Sequence, residues 1–211
     1  MPSLLDPESF LETFKPDRCP ICFVVHNYVY EHLKSVLDES VTDPSTREVL
    51  FKSKGFCRRH AWQAVQQRQI LGMAIIYGGL LDRELKNLSK KPTFWRKHTT
   101  QACPLCESEK KRDQSCLQEF IHCFSRSEKL RQGFSEHGIL CLPHLEKALA
   151  RKMPSRDRKW LYEMGKKALE KLSQNLNEFL EKQDYHRSRE PLGTEWDAWI
   201  RAVRMISGER E

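Results

Sequence analysis

One four-ligand set occurs twice in this chain, and the two copies are in register. Cys19-Pro-Ile-Cys22 is followed by Cys57-x-x-His60, and Cys103-Pro-Leu-Cys106 by Cys141-x-x-His144. Each member of the second set stands 84 positions after its counterpart, so a whole unit, C-x2-C-x34-C-x2-H, recurs. Self-similarity at a fixed period points to a tandem duplication and limits the fold to two related supersecondary units. The N-terminal stretch "MPSLLDPESFLETFKPDR" has no basic leader running into an apolar core, so a cytoplasmic protein is expected. In a reducing compartment, eight cysteines point to metal ligation or catalysis rather than to disulfides.

The spacing selects metal ligation. Three thiolates and one imidazole suit Zn2+, which closes a tetrahedron with sulfur at about 2.3 Å and nitrogen at about 2.0 Å. Two residues between ligands let both members of a pair reach one ion. In the first turn of a helix, Cys-x-x-His puts both side chains on one face. All four pairs precede or open helices, whose positive N-terminal ends favour the thiolate. The expected sites are Cys19, Cys22, Cys57, His60 and Cys103, Cys106, Cys141, His144. Each is expected to close within its own copy, because the same 34-residue interval in both argues for two self-contained helical hairpins. An iron–sulfur cluster is the alternative cofactor, disfavoured because histidine is a minority cluster ligand. A thioredoxin-like use of CxxC lacks the βαβ setting that it requires.

Around the ligands the chain reads as helix throughout, and no segment alternates as a strand. Asp6-Pro7 starts a helix over about 6–14. Residues 20–39 place Ile21, Val25, Val29, Leu33 and Leu37 at helical spacing. Asp43-Pro44 opens a short helix that Gly55 ends. After His60, apolar residues from Trp62 to Leu81 cover two faces, predicting one long central helix. The second copy repeats this plan over 104–124 and 127–135, breaks at "RKMPSRD", and resumes from a Ser155 cap with a stripe from Leu161 to Leu180. A helix capped by Thr194 closes the chain. The expected fold is therefore all-α: tandem zinc-stapled hairpins about a pseudo-twofold axis, with a C-terminal helix. The expected repeats are 1–98 and 99–211.

Other residues receive plainer readings. Cys116 and Cys123 have no counterparts in the first copy and read as small core residues. His26, His122 and His137 read as packed or solvated, Gly78-Gly79 as a close helix approach, and the five tryptophans as core. The basic run "RKMPSRDRK" with Lys166 and Lys167 reads as a solvated face.

The paired CPxC motifs, "GFCRRH" and the closing "EWDAWIRAVRMISG" resemble a prokaryotic family of unknown function whose pattern is CxxC, GFCxxH, a repeat of both, and a Trp-containing terminal helix ending in Gly. The likeness spans about Cys19 to Gly208. The second copy reads "GILCLPH", which keeps both ligands but changes the turn before them. The resemblance implies the ligand set and says nothing of a reaction.

No catalytic constellation is visible, and a closed quartet has no open position for a substrate. The expected function is a zinc-binding helical adaptor that meets a protein partner or a second copy through the Leu161–Leu180 stripe. The alternatives are a redox or metal sensor or iron–sulfur carrier, and a nucleic-acid binder. A formal charge of +7 permits nucleic acid, but the cations are spread among acids rather than gathered in a tail. No run of about 18 apolar residues exists, so no membrane span is expected.

Overall fold

The computed structural model describes residues 6–89, 101–184, 187 and 189–209, and among these it contains ten helices and no strand. In chain order they are α1 (Pro7–Thr13), α2 (Pro20–Asp38), α3 (Pro44–Lys52), α4 (Arg58–Gln66), α5 (Ile70–Leu88), α6 (Pro104–Arg126), α7 (Glu128–His137), α8 (Leu142–Leu149), α9 (Ser155–Glu181) and α10 (Ala198–Ser207). Three of the starts follow from side chains that satisfy orphan backbone donors. Asp6 accepts from the Ser9 N–H at 2.8 Å, Asp43 from Thr46 at 2.8 Å, and Ser127 from Leu130 at 3.2 Å. Two expected caps fall elsewhere. Ser155 is the first residue of α9, behind Pro154, and Asp197 rather than Thr194 precedes α10.

The long helix expected after His60 is two helices. Arg68 adopts a left-handed φ of 58°, its N–H reaching the Val65 carbonyl at 3.1 Å, and the chain turns between α4 and α5. The second copy is interrupted at the matching place, between α8 and α9. Gln67-Arg68-Gln69 holds neither Gly nor Pro, so propensity gives no warning of the break.

The chain forms two compact units, residues 27–112 and residues 1–26 with 113–211. They do not coincide with the repeats. Both divisions fall inside a helix, α2 at His26/Asn27 and α6 at Arg112/Asp113. The division expected at 98/99 lies outside the described residues.

In the 27–112 unit, Val29, Leu33 and Leu37 of α2 share a core with Leu50, Phe56, Ile76, Leu80 and Leu105. α5 crosses α2 so closely that a Cβ on Gly72 would stand 2.3 Å from the Leu37 carbonyl oxygen, and only glycine fits there. α5 is not central, however. It buries Gly72, Ile76 and Leu80 and exposes much of its remaining apolar surface. Gly79 meets the Phe51 ring, whereas Gly78 has nothing within 4 Å.

The other unit is built on an aromatic cluster in which Phe10, Phe120, Phe124, Phe134 and Trp160 stack edge-on or tilted at 5.2–6.1 Å. Cys116 and Cys123 lie in this core, as expected of cysteines outside the repeated ligand set. α9 packs against α8 and α10. Its stripe is mostly half-buried, with Leu161 buried and Leu180 exposed. Buried Glu195 ties α9 to the chain before α10, accepting from Lys182 Nζ at 2.6 Å and from the Gly193 N–H at 2.8 Å. The tryptophans depart from expectation. Trp62, Trp196 and Trp199 are 63, 59 and 54% exposed, because the opposite faces of α4 and α10 supply the core, and Trp95 lies outside the described residues.

The α2–α5 crossing yields a direct test. Gly72→Ala should destabilise the protein by about 1–3 kcal/mol through overpacking, although alanine is the better helix former. An unchanged or raised urea midpoint would contradict the close approach.

Candidate metal centres

All eight predicted ligands gather into two quartets, but the partners are exchanged between the copies. One quartet is Cys19, Cys22, Cys141 and His144; the other is Cys57, His60, Cys103 and Cys106. In each, the four ligand atoms lie within 4.8 Å of one another. The expectation that each copy closes on itself is therefore overturned. The reason is the stiffness of α2, whose 19 residues carry the chain about 28 Å from the first CxxC. Its second half joins the core that holds Cys57 and His60, while its first turn stays with α8. α6 does the converse, starting beside Cys57 and ending in the other unit.

Every pair is placed by a helix start. Cys57 and Cys141 occupy the position before α4 and α8 with nearly identical extended backbones, φ −63°, ψ 165° and φ −63°, ψ 156°. Cys19 and Cys103 immediately precede the prolines that open α2 and α6. Each quartet thus lies at two helix N-termini, whose partial positive charge favours three thiolates in one place. The turns leading in differ: Gly55 has φ +85°, whereas Gly138 has φ −93° and an extra residue follows it before the cysteine. Both deliver the ligand cysteine in the same conformation.

In the first quartet His144 Nδ1 stands 3.4, 3.4 and 3.1 Å from the sulfurs of Cys19, Cys22 and Cys141, and Cys22 and Cys141 are 3.7 Å apart. In the second, His60 Nδ1 stands 3.4, 3.5 and 3.5 Å from Cys57, Cys103 and Cys106, with Cys57 to Cys106 at 3.6 Å. Both histidines therefore present Nδ1 to the quartet and turn Nε2 away.

What Nε2 meets was not foreseen. His144 Nε2 lies 2.6 Å from Asp113, which also accepts from Lys147 at 2.8 Å. His60 Nε2 faces Glu109 at 3.6 Å, and Glu109 is held by Arg59. A carboxylate behind a ligand histidine fixes its tautomer and raises its basicity. Both carboxylates come from α6, four residues apart. Nothing among 29 acidic residues singles them out beforehand. Gly208 is the other unforeseen neighbour. Its φ of +78° folds the chain end back, so that a Cβ there would stand 3.6 and 3.7 Å from the sulfurs of Cys22 and Cys141.

The electrostatics of the quartets differ. Burial presses the His144 imidazole towards neutrality, but Asp113 and the thiols of Cys141 and Cys22 outweigh it and lift it to about 11. Burial and the neighbouring Arg59 hold His60 below the usual range. Burial and its fellow thiols push Cys106 up to about 12. Hydrogen bonds from Cys141 and Cys19 lower Cys22, while burial raises Cys19 well above an ordinary thiol. All four residues of the first quartet are buried; in the second only His60 and Cys103 are. His26, His122 and His137 belong to neither.

The fold and site define an all-helical protein with two Cys3His clusters, each able to hold a metal ion. The chain belongs to the family of unknown function DUF6062, whose model matches residues 10–211. It is also similar to the "Uncharacterized 23.9 kDa protein in xynA 3'region" of Caldicellulosiruptor sp. (strain Rt8B.4), 29% identical over 202 residues, covering 94% of this chain and 98% of that one. No solved structure matches the chain.

The exchanged pairing has a stoichiometric signature. Cys22→Ala with Cys141→Ala should cost one metal equivalent per chain, and Cys22→Ala with Cys57→Ala should cost two; mass spectrometry under native conditions separates these results from the unexchanged alternative, which reverses them. Removing the supporting carboxylates is the finer probe. Asp113→Asn should weaken metal binding at the first centre about 10–100-fold and leave the second untouched, as read by competition with a chromophoric chelator.

Proposed function

We propose that this protein is a cytoplasmic helical interaction module, stapled by one structural Zn2+ in each quartet and acting through the exposed face of α5. Zinc is supported by the size of the quartets. Bonds of about 2.3 Å to sulfur and 2.0 Å to nitrogen give tetrahedral edges of about 3.8 Å between sulfurs and 3.5 Å between sulfur and nitrogen. The edges here are 3.6–3.7 Å and 3.1–3.5 Å. An iron–sulfur cluster spreads its cysteines over more than one iron, and four ligands this close together suit a single ion better. With four protein ligands around each ion, the centres serve to hold helices.

The observation that carries the interaction reading is a seam on α5. Leu71, Ala74, Gly78, Leu81, Leu85 and Leu88 follow one another at intervals of 3, 4, 3, 4 and 3, the spacing of a coiled-coil face. Its four leucines and the adjacent Ile70 are between 61 and 79% exposed. The seam is complementary to itself. Turned antiparallel about its midpoint, it sets Leu71 against Leu88, Ala74 against Leu85 and Gly78 against Leu81, so a large side chain meets a small one at the centre. That favours a second copy of this chain, joined through the same surface on both partners. Trp62 and Val65 of the neighbouring α4 are exposed as well. The Leu161–Leu180 stripe suits the role less well, because most of it is half-buried within its own unit. Among the described residues no helix is long and apolar enough to cross a membrane.

Light scattering on the zinc-loaded protein tests the assignment. A dimer is expected that persists in 1 M salt and dissociates on Leu81→Glu with Leu85→Glu, with both metals retained. A wild-type protein monomeric at about 100 μM, or one that instead binds nucleic acid with an affinity falling steeply in salt, overturns the α5 reading. The metals are tested separately. Chelation of both should lower thermal stability severely, since structural zinc contributes on the order of 10 kcal/mol in small sites; an unchanged melting temperature would remove the structural role.

A further inference from the structure

We propose that the cavity beside the first metal centre binds a soluble aliphatic carboxylate, the chain on its apolar floor and the head group on two lysines of α9. The cavity lies wholly within the unit of residues 1–26 and 113–211 and has a volume of about 360 Å3, in the range of small-molecule sites. Leu145, Leu161, Met164, Ala168, Leu172 and Met205 supply its apolar lining, so part of the α9 stripe left uncovered by α10 becomes its floor. The segment carrying Cys141 forms another wall, and the sulfur-bearing residues Cys19 and Cys141 border it. The first centre therefore helps to shape the site.

The charges select the ligand. Three acids line the rim, and each already has a polar partner. Asp17 lies 3.8 Å from Arg201, and Glu209 lies 3.2 Å from Arg18 and 3.6 Å from Arg204. Glu136 sits 3.8 Å from the His137 ring and accepts from Gln132. Lys167 and Lys171 also line the cavity, and among the described residues neither makes an ion pair or a side-chain hydrogen bond. One helical turn apart, they stand on the same edge as Met164, Ala168 and Leu172, so two unanswered ammonium groups flank an apolar trough. An anionic head group joined to a hydrocarbon tail meets both features at once. A bare anion leaves the trough wet, and a neutral or cationic amphiphile leaves the lysines unanswered. The inference does not depend on association through α5, which lies in the other unit.

Calorimetric titration of the zinc-loaded full-length protein with sodium dodecanoate, below its micelle concentration, tests the proposal. Saturable 1:1 binding per chain is expected, with no binding of acetate and at least tenfold weaker binding of dodecyltrimethylammonium. Lys167→Glu with Lys171→Glu should weaken dodecanoate binding at least tenfold. Both side chains are exposed, so metal content and melting temperature should stay unchanged. Met164→Trp, which fills the trough while keeping the lysines, should also abolish binding. Several results overturn the proposal: no binding of dodecanoate, equal binding by the charge-reversed variant, equal binding of the cationic amphiphile, or binding only to vesicles of anionic phospholipid and not to the monomeric carboxylate.

Discussion

The structure depends on three thiols and an imidazole being brought together at two helix N-termini, twice. Like charges confined to a sphere of a few ångströms repel one another unless an ion and favourable dipoles hold them. Here the helix starts supply those dipoles: α2 and α8 meet at one quartet, α4 and α6 at the other. The position before each helix is where a side chain naturally turns back on the first exposed N–H groups. A cysteine there offers its sulfur instead, and the second ligand, three residues later, lies on the same face. The whole ligand geometry is thus written into four helix starts, and the helices are then obliged to converge.

That convergence joins distant parts of the chain. Because α2 and α6 each begin at one centre and end in the other unit, each repeat donates its CxxC to one quartet and its CxxH to the other. A metal-bound quartet then fixes residues 119–125 apart in one unit and 43–49 apart in the other. Neither repeat can complete a centre alone. α6 adds to this linkage by presenting Glu109 to His60 and Asp113 to His144, so a single helix orients both ligand histidines. The two centres are nonetheless unlike. The first is fully buried, with its histidine in close contact with a carboxylate and its far side closed by Gly208. The second is more exposed, with a longer histidine–carboxylate distance and an arginine answering that carboxylate.

With the helix starts gathered at the quartets, two helix flanks are left only partly covered. α5 shows two opposite faces: Gly72, Ile76 and Leu80 against the core, and a leucine seam turned outwards. α9 shows a face that α10 and α8 cover only in part, leaving an apolar trough with a lysine edge. The α5 seam belongs to the unit of residues 27–112, whereas the α9 trough borders Cys19 and Cys141 of the first quartet. The proposed binding role rests on this arrangement, two ligand quartets at helix starts and apolar flanks on α5 and α9.

Much was legible in the residues themselves, because it rests on local rules. The eight ligands followed from a repeated spacing, the starts of α1 and α3 from Asp-Pro caps, and the all-helical class from 3.6-residue periodicity. The burial of Cys116 and Cys123 followed from their standing outside the repeated ligand set. Other features depended on which surfaces meet. Pairing between copies turned on where a stiff 19-residue helix ends, and equal spacing of ligands contains no information about that. Arg68 breaks a helix that its neighbours would continue, and no Gly or Pro marks the place. The exposure of Trp62, Trp196 and Trp199, and of the outer face of α5, likewise reflects a choice between two apolar faces of one helix. Periodicity can identify both faces, but only the packed tertiary structure decides which of them is buried, because burial is a property of the pair of surfaces and not of either sequence alone.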